Sequence, residues 1–172
     1  MERYLMMEEN SSVYIRKPDK NDIKKLVDAF QRSQKLHQTW TFIPNNFEQY
    51  IAQPHRYLVC HKESNAIVGS FNIGEIVEGW FHSAYLGYEA FVPYQGQGYM
   101  YRGLMLVLEE AFSTLNLHRL EANIQPDNLA SIALVTKAGF VKEGFSPKYL
   151  RVGGEEWMDH ERWAIINENW TG

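Results

Sequence analysis

The stretch that decides the fold is FVPYQGQGYM, residues 91–100. A strand-like run, residues 84–92, leads into its turn, and a helix-like run, residues 99 to about 115, follows it. A turn between a strand and a helix can point several backbone N–H groups at one anion, and the helix N-terminus adds about half a positive charge. Gly96 and Gly98 keep side chains away from a phosphate. The stretch therefore predicts an anion site at the start of a helix.

Three kinds of phosphate-binding loop share this layout. A dinucleotide loop needs a third glycine where this chain has Tyr101, and a nucleoside-triphosphate loop needs a lysine followed by serine or threonine, which is absent. The third kind has the pattern Gln/Arg-x-x-Gly-x-Gly/Ala, which residues 95–100 match except that Met100 replaces the usual small residue. The first two kinds are excluded, and the third stays open beside an ordinary tight turn.

Composition narrows the class of protein further. The chain has 172 residues, which predicts a single domain over 1–172, and its 45% hydrophobic content supplies a sizeable core. A net charge of -4 argues against direct nucleic-acid binding and favours a cationic partner. There is no apolar run near the roughly twenty residues of a membrane span, and no secretory signal pattern. The single cysteine, Cys60, suits a reducing cytoplasm, so we expect a cytoplasmic protein without membrane contact.

The rest of the chain alternates between strand and helix patterns. Helices are predicted after Asp19, at Phe47, at Tyr99, and between Asn128 and Gly139. Residues 75–82 are predicted as a loop. Strands are predicted over residues 13–16, 56–61, 66–73, 84–92, 118–124, 140–145 with an extended 149–152, and 157–166, and the turn of the last hairpin at Gly153 and Gly154. This order predicts an α/β layer with helices on both faces of the sheet.

Glu89 is the first candidate for chemistry. The alternation of residues 84–92 places it on one face with Tyr85, Gly87 and Phe91, near the end of the strand that feeds the anion turn. A carboxylate there could meet a bound substrate, or it could be a solvated charge at a strand edge.

Other polar and aromatic residues carry weaker signals. His55, His61 and His82 have no metal-ligand spacing and no Cys or carboxylate cluster beside them, so no metal site is predicted. The aromatic segment of residues 31–46, which contains Trp40, is either core or a wall facing substrate. Gly103 weakens its helix by about 1 kcal/mol relative to alanine. Because it has no side chain, it would permit a close approach by backbone or ligand.

Five stretches occur in the order typical of the GNAT superfamily of N-acetyltransferases, which the chain resembles over nearly its whole length. They are QGQG at residues 95–98, LHRL at 117–120, Asn128 followed by Ser131, KAGFVKEG at 137–144, and the segment from Gly154 to His160. Within the superfamily the chain is most similar to the bacterial ribosomal-protein-alanine N-acetyltransferases of the RimJ type, which share Met100.

This resemblance implies a GNAT fold, with a mixed central sheet of about seven strands and helices on both faces. It also implies acetyl-CoA as co-substrate and no metal. The backbone of Phe91 and Val92 would pair with the pantetheine arm, and Asn128 would contact CoA near the thioester while also capping a helix. The pyrophosphate would be held by the backbone amides of Gln95, Gly96, Gln97, Gly98, Tyr99 and Met100.

The activity that the resemblance implies is an enzyme's: acetylation of the N-terminal α-amine of a protein, for which a ribosomal protein is a candidate. Glu89, directly or through a water, would be the base. Val135 stands where many relatives carry a tyrosine acid, so Ser131 is the substitute acid, or else it only bonds local backbone, and Tyr149 is a further acid. The alternatives are a small-molecule amine acetyltransferase and a non-catalytic acyl-CoA-binding ribosome-assembly factor. The chain is expected to be a monomer or homodimer.

Overall fold

The structure is a computed structural model that describes residues 11–37, 40–152 and 156–172. A 3-10 turn, Lys20–Asp22, precedes the first helix, and a π-helical segment, Glu110–Thr114, prolongs the fourth. The strands are β1 (Val13–Arg16), β2 (Arg56–His61), β3 (Ile67–Val77), β4 (Ser83–Ala90), β5 (Arg119–Ile124), β6 (Val141–Leu150) and β7 (Met158–Ile166). The helices are α1 (Ile23–Arg32), α2 (Gln34–His37), α3 (Phe47–Ile51), α4 (Tyr99–Glu109) and α5 (Leu129–Ala138).

The seven strands form one mixed sheet in the order β1-β2-β3-β4-β5-β7-β6. All neighbours are antiparallel except β4 and β5, which are parallel. These two pair only where Ser83–Tyr85 lie beside Arg119–Glu121, and then they separate. The separation leaves a gap in the middle of the sheet, next to the end of β4.

Helices cover both faces of the sheet, as the alternation predicted. In β2, Val59 belongs to the larger core cluster and Leu58 to the smaller one, because successive side chains point to opposite faces. The larger cluster packs α4 and α5 on one face, through Leu104, Val107, Leu108 and Val135. The smaller cluster packs α1 and α3 on the other face, through Leu26, Ala29, Phe30 and Tyr50.

The predicted helix ends and the close approach at Gly103 are also explained. Asp19 caps the 3-10 turn, Asn128 caps α5 by accepting from the Ser131 amide at 3.2 Å, and Gly139 ends α5 with φ of 99°. A Cβ on Gly103 would lie 2.7 Å from Cγ2 of Val59. Gly103 therefore lets α4 pack closely on β2, and the approaching group is protein.

Three element boundaries differ from the sequence predictions. Residues 75–77, predicted as loop, continue β3, where Val77 pairs with Ser83. β4 ends at Ala90, two residues early, because the chain turns there and the Tyr94 amide donates to the Phe91 carbonyl at 2.9 Å. β6 is one unbroken strand where two extended pieces were expected. The predicted turn at Gly153–Gly154 lies outside the described residues.

Candidate functional site

A cleft of about 570 Å³ opens where β4 and β5 separate. The anion turn and the start of α4 form one side of it, and the start of α5 forms another. Of the residues that the sequence singled out, the cleft is lined by Glu89, Gln95, Gly96, Gly98, Tyr99, Met100, Asn128 and Ser131. Phe91, Val92 and Gln97 are not among the lining residues.

The anion turn has the backbone conformation that its glycines allow. Gly96 and Gly98 have φ of 73° and 77°, in the left-handed region that favours glycine. Gly98 is the N-cap of α4 and supplies no side-chain hydrogen bond to it, so the first amides of α4 have no capping side chain. The guanidinium of Arg102 donates to the Gln97 carbonyl at 3.3 Å and adds a cation beside the turn. The sequence reasoning missed Arg102, although its place one helical turn after Gly98 was a readable signal.

Met100 stands in place of a small residue because β3 makes room for it. A Cβ on Gly69 would lie 2.2 Å from the Met100 sulfur and 2.7 Å from the Glu89 carbonyl oxygen. The thioether thus occupies space that a side chain at Gly69 would need. The pair joins the start of α4 to the sheet directly behind the turn.

The backbone amides of Phe91 and Val92 already have partners within the protein. Phe91 donates to the Val68 carbonyl and Val92 to the Ser33 hydroxyl, both at 2.9 Å. Pairing of these two N–H groups with a pantetheine arm would require both bonds to break. β5 leaves the edge of β4 unpaired beyond Tyr85, and this stretch of backbone is a better candidate for such pairing than Phe91 and Val92.

Glu89 is not a solvated strand-edge charge. Its side chain is only 13% exposed, and its Oε2 accepts hydrogen bonds from the Ser70 hydroxyl at 2.6 Å and from the Tyr50 hydroxyl at 3.1 Å. The Arg56 guanidinium lies 3.6 Å from the same oxygen. All of these contacts fall on Oε2, and none of the described residues bonds Oε1. The carboxylate is held on one oxygen and lines the cleft.

The groups around Glu89 come from three separate parts of the chain. Burial first, and then the charge of Glu89, raises the pKa of Tyr50 well above its ordinary value, so the phenol stays a donor. Arg56 is itself buried, stacks on the Tyr50 ring at 3.6 Å, and donates to the Ser70 hydroxyl. Sequence reasoning missed these partners because their side chains meet only through the pairing of β2, β3 and β4.

Three polar atoms of cleft-lining residues are buried without a hydrogen-bond partner among the described residues: His37 Nδ1, the Tyr88 hydroxyl and Asn123 Oδ1. His37 donates from Nε2 to the Ala90 carbonyl at 2.8 Å, so Nδ1 of the neutral ring is an acceptor. Burial raises the pKa of Tyr88 to about 12, and the nearby Ser131 hydroxyl, acting on the phenol oxygen, lowers it in part. A ligand's polar group that forms a hydrogen bond with one of these atoms would remove the free-energy cost of leaving it buried without a partner.

Two other positions were considered for a general acid, Val135 and Tyr149, and they lie in different surroundings. Val135 is fully buried in the larger core cluster. Tyr149 contacts Tyr85, whose pKa it raises, and lies near His160, but it does not line the cleft. His160 does line the cleft and donates from Nδ1 to the Met158 carbonyl at 2.9 Å.

The aromatic segment of residues 31–46 divides between the two roles expected of it. His37 packs against Phe30 in the smaller core cluster and also lines the cleft. Trp40 lines the cleft as well. Phe42 is 44% exposed and does neither.

The sequence motif that contains Arg119 proves to be structural. Its guanidinium binds Glu121 at 2.8 Å and also pairs with Glu143 on β6. The pairing with Arg119 lowers the pKa of Glu143 and raises that of Arg119 above its usual value. This ion-pair group joins β5 to β6 across β7 and lies outside the cleft.

Two classes of site are absent from the described part of the chain. Over residues 11–37, 40–152 and 156–172, no group of three or more His, Cys, Asp or Glu side chains is placed to hold a metal ion. Within the same ranges, no helix combines the length and the apolar character needed to cross a membrane.

Comparison with known proteins identifies relatives for this cleft and sheet. The chain is 36% identical to the [Ribosomal protein uS5]-alanine N-acetyltransferase of Escherichia coli (strain K12) over 109 residues, 63% of this chain and 56% of that protein. The matched stretch thus spans about half the length of that relative. The fold superimposes on the ribosomal-protein-S5-alanine acetyltransferase of Vibrio fischeri with a TM-score of 0.83 and 26% identity, over 94% of this chain and 97% of the other.

A second solved structure has the same fold and is named for a different kind of acceptor. It is a spermidine N-acetyltransferase from Vibrio cholerae in complex with CoA and spermine, with a TM-score of 0.76 and 20% identity, over 94% of this chain and 99% of the other. The family described as "Acetyltransferase (GNAT) domain", whose acetyltransferases use acetyl-CoA, matches residues 12–141. With most of its length covered by that match, and with the seven-stranded sheet of its structural neighbours, this chain belongs to the GNAT acetyltransferase family.

Proposed function

We propose that the protein transfers an acetyl group from acetyl-CoA to the N-terminal α-amine of a protein, for which a ribosomal protein is the candidate. The relatives named for ribosomal-protein alanine acetylation support the class of acceptor. The observation that carries the proposal lies in the cleft. Among the described residues that line it, Glu89 is the only acidic side chain.

A single carboxylate matches an acceptor with a single cation. A polyamine carries several ammonium groups, and each one that enters a cleft needs a counter-charge to repay its desolvation. Of the described residues that line the cleft, Glu89 alone offers a negative charge, and Arg56 at 3.6 Å already offsets part of it. Lys137, which also lines the cleft, lies over the Tyr101 ring and would repel further cations. A protein N-terminus brings one amine, followed by uncharged backbone.

The residues of the chain divide the work of acetyl transfer. Acetyl-CoA supplies the thioester as acyl donor, and the anion turn with Arg102 fits its pyrophosphate. Glu89 accepts a proton from the acceptor ammonium, directly or through a water, so that the neutral amine attacks. Ser70 and Tyr50 hold Glu89 by one oxygen and leave the other for the amine. Holding both substrates in one cleft supplies much of the rate.

A peptide that bears an N-terminal alanine and an internal lysine tests the acceptor. An α-amine has a pKa near 8 and a lysine near 10.4, so a far larger share of the α-amine is neutral at pH 7. We expect mass spectrometry to find one acetyl group on the α-amine. The matched control is the same peptide with a blocked N-terminus, which should release little CoA.

Parallel assays separate the other candidates. Acetylation of spermidine in preference to the peptide would move the assignment to a small-amine enzyme. Acetyl-CoA binding by calorimetry without CoA release on either acceptor panel would move it to a non-catalytic binding protein.

A further inference from the structure

Adjacent residues of β4 send polar side chains to opposite faces of the sheet. Glu89 meets Ser70 and Tyr50 on the face that α1 and α3 cover. Tyr88 lies opposite Phe71 on β3, with the ring centroids 5.5 Å apart, and packs against the larger core cluster on the face that α4 and α5 cover. Both line the cleft. The opening between β4 and β5 is thus bordered by a carboxylate on one face and a phenol on the other.

The Tyr88 hydroxyl differs from the other two unpartnered atoms in what it can do. His37 Nδ1 and Asn123 Oδ1 are acceptors, whereas a phenol can donate. A buried hydroxyl that donates to no partner destabilises the folded protein. Tyr88 therefore presents the one unused donor among these three atoms, beside Ser131 at the start of α5.

We propose that the Tyr88 hydroxyl is a catalytic hydrogen-bond donor to the CoA sulfur atom as the thioester breaks. This inference rests on the proposed acetyl transfer. The acceptor amine attacks the acetyl carbon, the C–N bond forms, and the C–S bond breaks with its electron pair on sulfur. Glu89 passes the first proton, taken from the ammonium before attack, to solvent, and it then accepts, directly or through its water, the second proton that the nitrogen loses as the amide forms. The departing thiolate takes a proton from solvent.

The Tyr88 proton stays on oxygen throughout this step. Burial keeps the pKa of Tyr88 near 12, well above the value of about 8.5 for an ordinary thiol, so the phenol donates a hydrogen bond and remains neutral. A thioester sulfur is a poor acceptor and a thiolate is a strong one. The interaction therefore strengthens as charge develops on sulfur, which is what lowers an activation barrier.

Tyr88→Phe tests the donor. A hydrogen bond to a charged atom is worth roughly 10- to 100-fold, so kcat should fall by about that factor while KM for acetyl-CoA stays within about twofold. The second readout needs no acceptor. Ultraviolet absorbance of the thiolate, with desulfo-CoA as the blank, should show the thiol pKa of bound CoA rising by about one to two units in the variant.

Tyr57→Phe is the matched control. Tyr57 is also buried, but its hydroxyl donates to Glu110 at 3.0 Å and lies outside the cleft. Removing it should leave kcat and the thiol titration unchanged and lower the melting temperature. Tyr88→Phe should lower the melting temperature less, because the Tyr88 hydroxyl donates no hydrogen bond to the described residues.

The thiol titration decides the inference whatever the acceptor proves to be. The same thiol pKa for bound CoA in the wild type and in Tyr88→Phe would overturn it. A shift in Ser131→Ala with none in Tyr88→Phe would also overturn it and assign the donor to Ser131. A shift in Tyr88→Phe alone, in a protein that fails to acetylate the peptide, would support the donor and remove only the proposed acceptor.

Discussion

The two sides of the cleft are built in different ways. The turn wall, residues 95–100, is one continuous stretch that offers mostly backbone groups, shaped by two glycines with positive φ. The carboxylate wall depends on side chains: Glu89 on β4 lines the cleft, and Ser70 on β3, Arg56 on β2 and Tyr50 on α3 surround its carboxylate from behind. The first wall is local in sequence, and the second exists only after three strands pair.

The difference teaches what kind of site each route of construction can produce. A run of backbone amides at a helix N-terminus suits any phosphate and carries little information about the acceptor. A buried network of side chains sets charge and geometry at one atom. We therefore expect damage to the carboxylate wall to change turnover, and damage to the turn wall to change cofactor affinity.

The largest expected effect follows from Glu89→Gln. Loss of a general base costs about 10²- to 10⁴-fold in rate, so turnover should fall by about that factor at pH 7 with acetyl-CoA affinity unchanged. The rate should recover in part as the pH rises toward 8 and above, because the α-amine, with a pKa near 8, then loses its proton to solvent. Steady-state rates against pH measure this.

Glu78→Gln is the control for the charge change, because Glu78 is exposed and outside the cleft. Glu89→Gln also removes the ion-pair partner of the buried Arg56, so a melting curve accompanies the assay. A loss of folded protein would lower the rate equally at every pH. A Glu89→Gln rate equal to wild type over the whole range would return Glu89 to a structural role.

The next effect is on the turn wall, through Gly98→Asp. The new carboxylate would lie beside a pyrophosphate, and at a separation of about 5 Å and an effective dielectric of about 20 two like charges repel by about 3 kcal/mol. It would also reach Arg102, whose Nη1 is 3.2 Å from a Cβ at this position, and would neutralise that cation. Calorimetry should show acetyl-CoA affinity falling by roughly 100-fold or more, and chelator should not change the wild-type value.

Gly98→Asn is the matched control, because asparagine has the same shape without the charge and tolerates the φ of 77°. The difference in affinity between the two variants isolates the electrostatic effect. If folded Gly98→Asp bound acetyl-CoA as tightly as the wild type does, the turn would not be the pyrophosphate site.

The sequence predicted the features that depend on neighbouring residues. The glycine turn, the Asn128 cap and the Gly139 end are each fixed by a few adjacent residues, and the structure has all three. The order of strands and helices was predicted for the same reason, except for α2, which lies in a segment where no helix was predicted.

Features that depend on distant contacts escaped the sequence analysis. Val77 belongs to a strand only because Ser83 pairs with it, and Met100 is tolerated only because Gly69 lies 31 positions earlier on a neighbouring strand. Tyr88 carries no motif, and its interest comes from burial without a partner. The sequence left the surroundings of Glu89 open because a strand pattern shows which face a residue occupies but not what covers that face.

The smallest expected effect concerns Asn128, which belongs to neither wall alone. Its Oδ1 caps α5 through the Ser131 amide, while the residue lines the cleft, where the resemblance to the family implies a contact with CoA. Serine caps a helix about as well as asparagine, whereas alanine loses about 1 kcal/mol. Asn128→Ser should therefore keep the melting temperature, and Asn128→Ala should lower it by a few degrees. If the amide also donates to CoA, both variants should lose about fivefold in affinity, the equivalent of one hydrogen bond of about 1 kcal/mol. Wild-type affinity in Asn128→Ser would leave Asn128 as a helix cap and nothing more, and would restrict the predicted cofactor contacts to the turn wall.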